Sequence, residues 1–139
     1  MKVQEIMTST LEWTTPDSTV SEAAMLMEKH DVGCLAVSEG GQVVGTVTDR
    51  DIVIRGIALE KDPRTTETRE VMTPNPVFCR TDDDIETVAQ RMKEQKIRRL
   101  IVQDDNGTPV GLVSLGDIGA RAHADELVGT VVEDVCGCP

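Results

Sequence analysis

Val43-Val44-Gly45-Thr46-Val47-Thr48-Asp49-Arg50-Asp51-Ile52 runs a β-branched stretch into a polar turn and straight on into a helical pattern. Val110-Gly111-Leu112-Val113-Ser114-Leu115-Gly116-Asp117-Ile118 repeats that grammar: glycine, apolar run, hydroxyl residue, two variable positions, aspartate, isoleucine. A hydroxyl and a carboxylate three residues apart at the mouth of a helix serve either of two ends. They close a capping box and need no ligand, or they hold a sugar and its phosphate, the carboxylate accepting from sugar hydroxyls and the helix N-terminus suiting an anion. A single occurrence favours the cap. Recurrence at matched ends of matched hairpins favours the ligand.

The recurrence extends outward from these two stretches. Setting Met7 on Met72, an offset of 65 (72 − 7), also sets Thr8 on Thr73, Trp13 on Phe78, Asp17 on Asp82, Val20 on Ile85, Ala24 on Ala89 and Met27 on Met92. One extra residue in the second hairpin moves the offset to 66 (111 − 45) for Gly45 and Gly111, and it holds through Asp51 and Asp117. The chain is a duplication, the first feature to seek in any sequence.

In the first repeat, Val3 to Met7 is a helical lead-in whose Ile6 and Met7 tuck under the repeat, and Leu11 to Thr15 is a short strand. Pro16-Asp17-Ser18 offers Asp17 or Ser18 as an N-cap. Val20, Ala23, Ala24 and Met27 then recur on one helical face. Asp31 and Gly33 stop that helix, Cys34 to Val37 follows as a strand, and Glu39-Gly40-Gly41-Gln42 is hairpin chemistry. The second repeat matches with strand Val77-Phe78-Cys79, an acidic run Asp82-Asp83-Asp84 at the positive end of a helix, buried Ile85, Val88, Ala89 and Met92, and a hairpin turning at Asp104-Asp105-Asn106-Gly107. The organisation expected is repeat 1 over 1–57, a linker over 58–67, repeat 2 over 68–120, and a helical extension with a cysteine-containing tail over 121–139. A helix, a hairpin and one strand are too little to close a core, so the two repeats are expected to pack their sheets together as one pseudo-symmetric α+β (α/β) module.

Composition narrows the function. A formal net charge of −11 over 139 residues argues against a general nucleic-acid binder and against docking on anionic lipid. No apolar stretch reaches the length of a signal-peptide core or a membrane span. A soluble cytoplasmic protein is expected. There is no nucleophile elbow, no phosphate loop and no paired zinc-ligand motif, so no enzyme is expected either.

The two runs Gly45 to Ile52 and Gly111 to Ile118, each closing a repeat that opens with Met-Thr, closely resemble the CBS domain, and paired they resemble a Bateman module of the stand-alone bacterial and archaeal kind. The resemblance covers nearly the whole chain except about the last fifteen residues. It implies two βαββα repeats joined by their sheets, with clefts that in many members hold AMP, ADP, ATP or S-adenosylmethionine, and no required cofactor. It assigns Asp51 and Asp117 to the ribose hydroxyls, and Thr48 and Ser114 to phosphate or ribose. It also implies a regulator that forms a disc-like homodimer and signals to an effector protein.

Further candidates come from the residues themselves. Arg98 and Arg99 occupy the positions of Gly33 and Cys34, while Arg50 and Arg55 flank the first motif. If pseudo-twofold packing sets the arginines opposite Thr48, Arg50 and Asp51, that cleft grips a polyphosphate and the Ser114 and Asp117 cleft does not. Solvated ion pairs are the alternative. Trp13 and Phe78, with Thr14 and Cys79 beside them, are candidates to touch a nucleobase, although aromatic residues so placed more often anchor a core or an interface. Cys34 and Cys79 suit buried apolar positions. Cys136 and Cys138, close together in the tail, are weak candidates for metal or redox chemistry, and His30, Cys34, Cys79 and His123 form only a dispersed metal set.

Overall fold

The computed structural model describes residues 1–121, and its two folded units are not cut at the ends of the two repeats. One unit is Glu12–Pro76, and the other joins Met1–Leu11 to the described residues from Val77. Each repeat therefore completes itself with the lead-in of the other.

The first-repeat unit runs β1 (Trp13–Thr14), α1 (Val20–His30), β2 (Cys34–Glu39), β3 (Gln42–Thr48) and a short α2 (Asp49–Asp51). The helix continues as a π turn over Ile52–Gly56 and a 3-10 turn over Ile57–Leu59, and the unit ends with β4 (Thr73–Pro74). The sheet order is β1-β2-β3-β4, with β1 parallel to β2 and the other pairs antiparallel. Gly40 and Gly41 turn the hairpin at φ 61° and 79°, values that glycine alone adopts freely. The face of α1 formed by Val20, Ala23 and Met27 packs on Leu35, Val37, Val47, Ile52 and Val71, whereas Ala24, expected on that face, is exposed.

The cap of α1 is Thr19, not Asp17 or Ser18. Thr19 Oγ1 accepts from Glu22 N at 3.1 Å and Glu22 Oε2 accepts from Thr19 N at 3.3 Å, a closed capping box. Ser18 is occupied elsewhere: its hydroxyl donates to Thr15 O at 2.6 Å and meets Thr14 and Thr68 hydroxyls. Asp17 pairs with Arg69. The helix ends on Asp31 in the left-handed region at φ 53°.

The segment between the repeats is also built in. The first amides of a helix have no partner within it, and here linker carbonyls supply them: Val20 N donates to Thr66 O and Ser21 N to Pro63 O, both at 2.9 Å. Thr66 and Thr68 are buried as a result.

The second-repeat unit contains a 3-10 turn (Val3–Glu5), β5 (Phe78–Arg80), α3 (Ile85–Gln95), β6 (Arg99–Gln103), β7 (Pro109–Ser114) and α4 (Leu115–Arg121). Its sheet order is β5-β6-β7. Ile85, Val88, Ala89 and Met92 of α3 pack with Leu100, Val102, Val113 and Ile118, as their spacing predicts. The repeat that the N-terminal lead-in tucks under is the second one. Val3 and Ile6 lie in this core with Met7 against it, and Ile85 N donates to Met1 O at 3.1 Å. Met1 thus does for α3 what Thr66 does for α1, at the same offset of 65 (66 − 1).

Two glycines make this exchange possible. Thr8 N donates to Leu112 O at 2.9 Å and Thr8 O accepts from Leu112 N at 3.0 Å, so the lead-in lies as an extra edge on β7. A Cβ at Gly111 would stand 2.4 Å from Thr8 O, and one at Gly45 would stand 2.6 Å from Thr73 O. Of the acidic run before α3, Asp84 takes the N-cap place without capping through its side chain, and its Oδ1 accepts from Lys2 Nζ at 2.9 Å. That pairing lowers the Asp84 carboxyl and raises the Lys2 ammonium.

Gly45→Ala and Gly111→Ala are each expected to cost about 1–3 kcal/mol in urea unfolding, because backbone rather than a flexible side chain must move. Gly116→Ala, whose Cβ would meet only Ser114 Oγ at 3.5 Å, is expected to stay within about 0.5 kcal/mol of the parent. The lowered Asp84 contributes stability above its unfolded pKa and loses it as pH falls through the folded value. Lys2→Met is therefore expected to lower the melting temperature slightly at pH 7 and not in acid where Asp84 is protonated, with high salt shrinking the neutral-pH effect.

Candidate functional site

Each hairpin delivers its last residue to the start of a helix, and there the two aspartates turn back. Thr48 Oγ1 accepts from Asp51 N at 3.1 Å, and Asp51 Oδ2 accepts from Thr48 N at 3.0 Å. Ser114 Oγ accepts from Asp117 N at 3.1 Å, and Asp117 Oδ2 accepts from Ser114 N at 2.9 Å. Of the two uses open to the motif, the capping box is realised in both repeats. A carboxylate has about four lone-pair positions, and each box occupies one oxygen of its aspartate. Both aspartates are half-buried, so neither is sealed from solvent.

The first corner carries a feature that pattern alone did not single out. Thr73 Oγ1 lies 3.4 Å from Asp51 Oδ1 and 3.5 Å from Oδ2, on the edge of hydrogen-bonding distance. Arg55 fixes the approach of that segment, its Nη1 donating to Met72 O at 3.0 Å and Val71 O at 3.4 Å. The signal in the sequence was the Met-Thr pair itself, recurring at positions 7–8 and 72–73.

The surroundings of the two corners differ in charge. In the first unit Cys34 is the cross-strand partner of Thr48, and Asp49 N donates to Gly33 O at 3.1 Å. Asp49 and Asp51 outnumber Arg50 there, whose side chain points to solvent. In the second unit Arg99 is the cross-strand partner of Ser114, and Leu115 N donates to Arg98 O at 2.9 Å. Cross-strand partners share a face of the sheet, so exposed Arg99 accompanies Ser114 and the single acid Asp117, with exposed Arg98 next to it in the chain. Within their own unit they belong to the other motif.

The remaining candidates separate. Trp13 is 39% exposed and outside the core, whereas Thr14 is buried with its hydroxyl on Ser18. Phe78 is half-buried, its carbonyl accepting from Arg91 Nη1. Cys79 is a core residue whose thiol burial pushes up to about 12. His30 Nε2 lies 3.4 Å from Glu12 Oε2. Cys136, Cys138 and His123 lie outside the described residues. Among the described residues no three or more His, Cys, Asp or Glu side chains gather as a metal site, and no helix is long and apolar enough to cross a membrane.

The family model for the CBS domain matches residues 3–56 and again residues 69–119. The CBS domain-containing protein YhcV of Bacillus subtilis is 35% identical over 133 residues, covering 96% of this chain and 94% of its own. Among solved structures, the hexameric CBS-CP12 protein from bloom-forming cyanobacteria superposes with a TM-score of 0.82 at 30% identity, over 91% of this chain and 73% of that one. The CBS domain pair of protein MJ0100, in complex with 5′-methylthioadenosine and S-adenosyl-L-methionine, gives a TM-score of 0.77 at 27% identity, over 91% of this chain and 98% of that one.

Asp51→Ala and Asp117→Ala are each expected to cost about 0.5–2 kcal/mol in chemical denaturation with no ligand added, the ordinary loss from opening a cap. In alkylation with iodoacetamide at pH 8, mapped by peptide mass spectrometry, Cys79 is expected to stay unmodified in the native protein and to react once urea is added.

Proposed function

Since this chain belongs to the CBS-domain family and carries the domain twice, we propose that it is a non-catalytic regulatory pair that takes an adenosine-containing ligand at its two hydroxyl-x-x-aspartate corners. The observation carrying this reading is the matched pair of half-buried aspartates, each with one oxygen on its own helix cap and the other beyond it. Thr48, Asp51, Ser114 and Asp117 are the ribose and phosphate contacts, with Arg50, Arg98 and Arg99 supplying positive charge. Trp13 and Phe78 are the candidate contacts for the base. The 5′-methylthioadenosine and S-adenosyl-L-methionine of the MJ0100 pair support an adenosine compound as the class. AMP, ADP and ATP belong to that class.

The corners are not equal in this proposal. A phosphate prefers the Ser114–Asp117 corner, where two arginines stand against one acid, over the Thr48–Asp51 corner, where two acids stand against Arg50. An uncharged 5′ group is better tolerated at the latter. Ligand binding shifts the population of conformers, and an effector protein reads the result. The acidic balance, with Cys34 and Cys79 outside any disulfide, suits a cytoplasmic setting.

The closed capping boxes favour a second reading, in which both corners only end their helices and the pair binds partners without a ligand. Thermal shift against adenosine, 5′-methylthioadenosine, AMP, ATP and S-adenosylmethionine separates the two, since a ligand bound only by the folded state raises the melting temperature. Calorimetric titration of AMP into Arg99→Gln is expected to show about a tenfold loss, the size of one charge-assisted hydrogen bond, while 5′-methylthioadenosine binding holds. No shift with any compound leaves the second reading standing, and equal losses for both compounds remove the inequality of the corners.

A further inference from the structure

Each Met-Thr segment that lies along a hairpin brings a sulfur to that hairpin's glycine. A Cβ at Gly111 would stand 3.3 Å from Met7 Sδ, and one at Gly45 would stand 3.2 Å from Met72 Sδ, so each thioether closes over the place where a side chain is missing. Both glycines are buried, while Met7 and Met72 are half-buried at the margins of the two cores. The other methionines lack this combination of access and contact. Met92 and Met27 are 0% and 8% exposed, out of reach of a solute. Met1 and Met25 are 52% and 63% exposed, so a polar atom added to either extends into water.

We propose that Met7 and Met72 are a matched pair of oxidation sites, at which hydrogen peroxide or a related peroxide unlatches the two Met-Thr edges. The thioether lone pair attacks one peroxide oxygen: an S–O bond forms, the O–O bond breaks, and water leaves. The sulfur is oxidised by two electrons and the peroxide is reduced. The sulfoxide is polar where the thioether was apolar. An oxygen set against buried glycine main chain needs a hydrogen-bond donor, and the ladder amides of Thr8 and Leu112 already donate to each other's carbonyls. Moving off the glycine then costs less than staying, and the segment that carries the sulfur moves with it. Thr73, next to Met72, lies 3.4 Å from Asp51 Oδ1, so the second latch reaches the first corner as well. These sites go beyond the ligand reading and do not rest on it.

Graded hydrogen peroxide on the full chain, followed by peptide mass spectrometry and a circular dichroism melt, tests the proposal. Sulfoxide is expected at Met7 and Met72 well before it appears at Met92, and the treated parent is expected to melt about 5 °C lower. A double variant, Met7→Leu with Met72→Leu, is a swap of similar volume and is expected to keep its melting temperature under the same treatment. Met25→Leu is expected to lose as much as the parent. Hydrogen exchange serves if the double variant melts early: oxidation of the parent is expected to speed exchange of the Thr8 amide, which donates to Leu112 O, by about tenfold or more. Sulfoxide at Met7 and Met72 no sooner than at Met92, an unchanged melt of the treated parent, an equal loss in the double variant, protection by Met25→Leu, or unaltered exchange at Thr8 overturns it.

Discussion

The structure turns on a place where two main chains come closer than any side chain permits. Thr8 O lies over Gly111 and Thr73 O over Gly45, at distances a Cβ could not share. Because those two positions are bare, each Met-Thr segment can lie along a hairpin as an added edge and push its methionine sulfur against the same glycine. Each edge serves the repeat it does not precede in sequence. That is why Met7 joins the second core and Met72 the first. The linker is correspondingly fixed, and its carbonyls complete the start of α1. Thr73 arrives beside Asp51 by the same route, so the geometry of the first corner follows from the glycine one turn of hairpin away.

The aspartates show how one side chain serves stability and recognition together. Folding back to the Thr48 and Ser114 amides fixes the orientation of each carboxylate before any ligand arrives. A group already ordered has less freedom left to lose on binding. In the proposed function the cap therefore acts as preorganisation for a ribose contact through the second oxygen. The charge around each corner, set by Asp49 and Arg50 in one and by Arg98 and Arg99 in the other, then decides which ligand is favoured.

Much of this was legible in the residues. The duplication, both long helices with their buried faces, both hairpins and the glycine turns follow from spacing and turn chemistry, because those signals are local. The exchange of lead-ins was not legible, since Met7-Thr8 and Met72-Thr73 are equivalent in sequence and either fits either glycine. The Thr19 cap lay in the Thr19-x-x-Glu22 pattern, masked by two other capable residues just before it. Linker threonines looked like loop composition, although Thr66 and Thr68 are buried. Strand register puts Arg99 beside Ser114, a within-repeat neighbour that an argument from twofold packing passes over.

Amide chemical shifts of Thr48, Asp51, Ser114 and Asp117, followed by nuclear magnetic resonance while AMP and then S-adenosylmethionine are added, test the shared use of the capping carboxylates most directly. Saturable shifts at these four amides are the expected result, larger at Ser114 and Asp117 for AMP. A spectrum that stays unchanged at these residues with millimolar amounts of both compounds contradicts it.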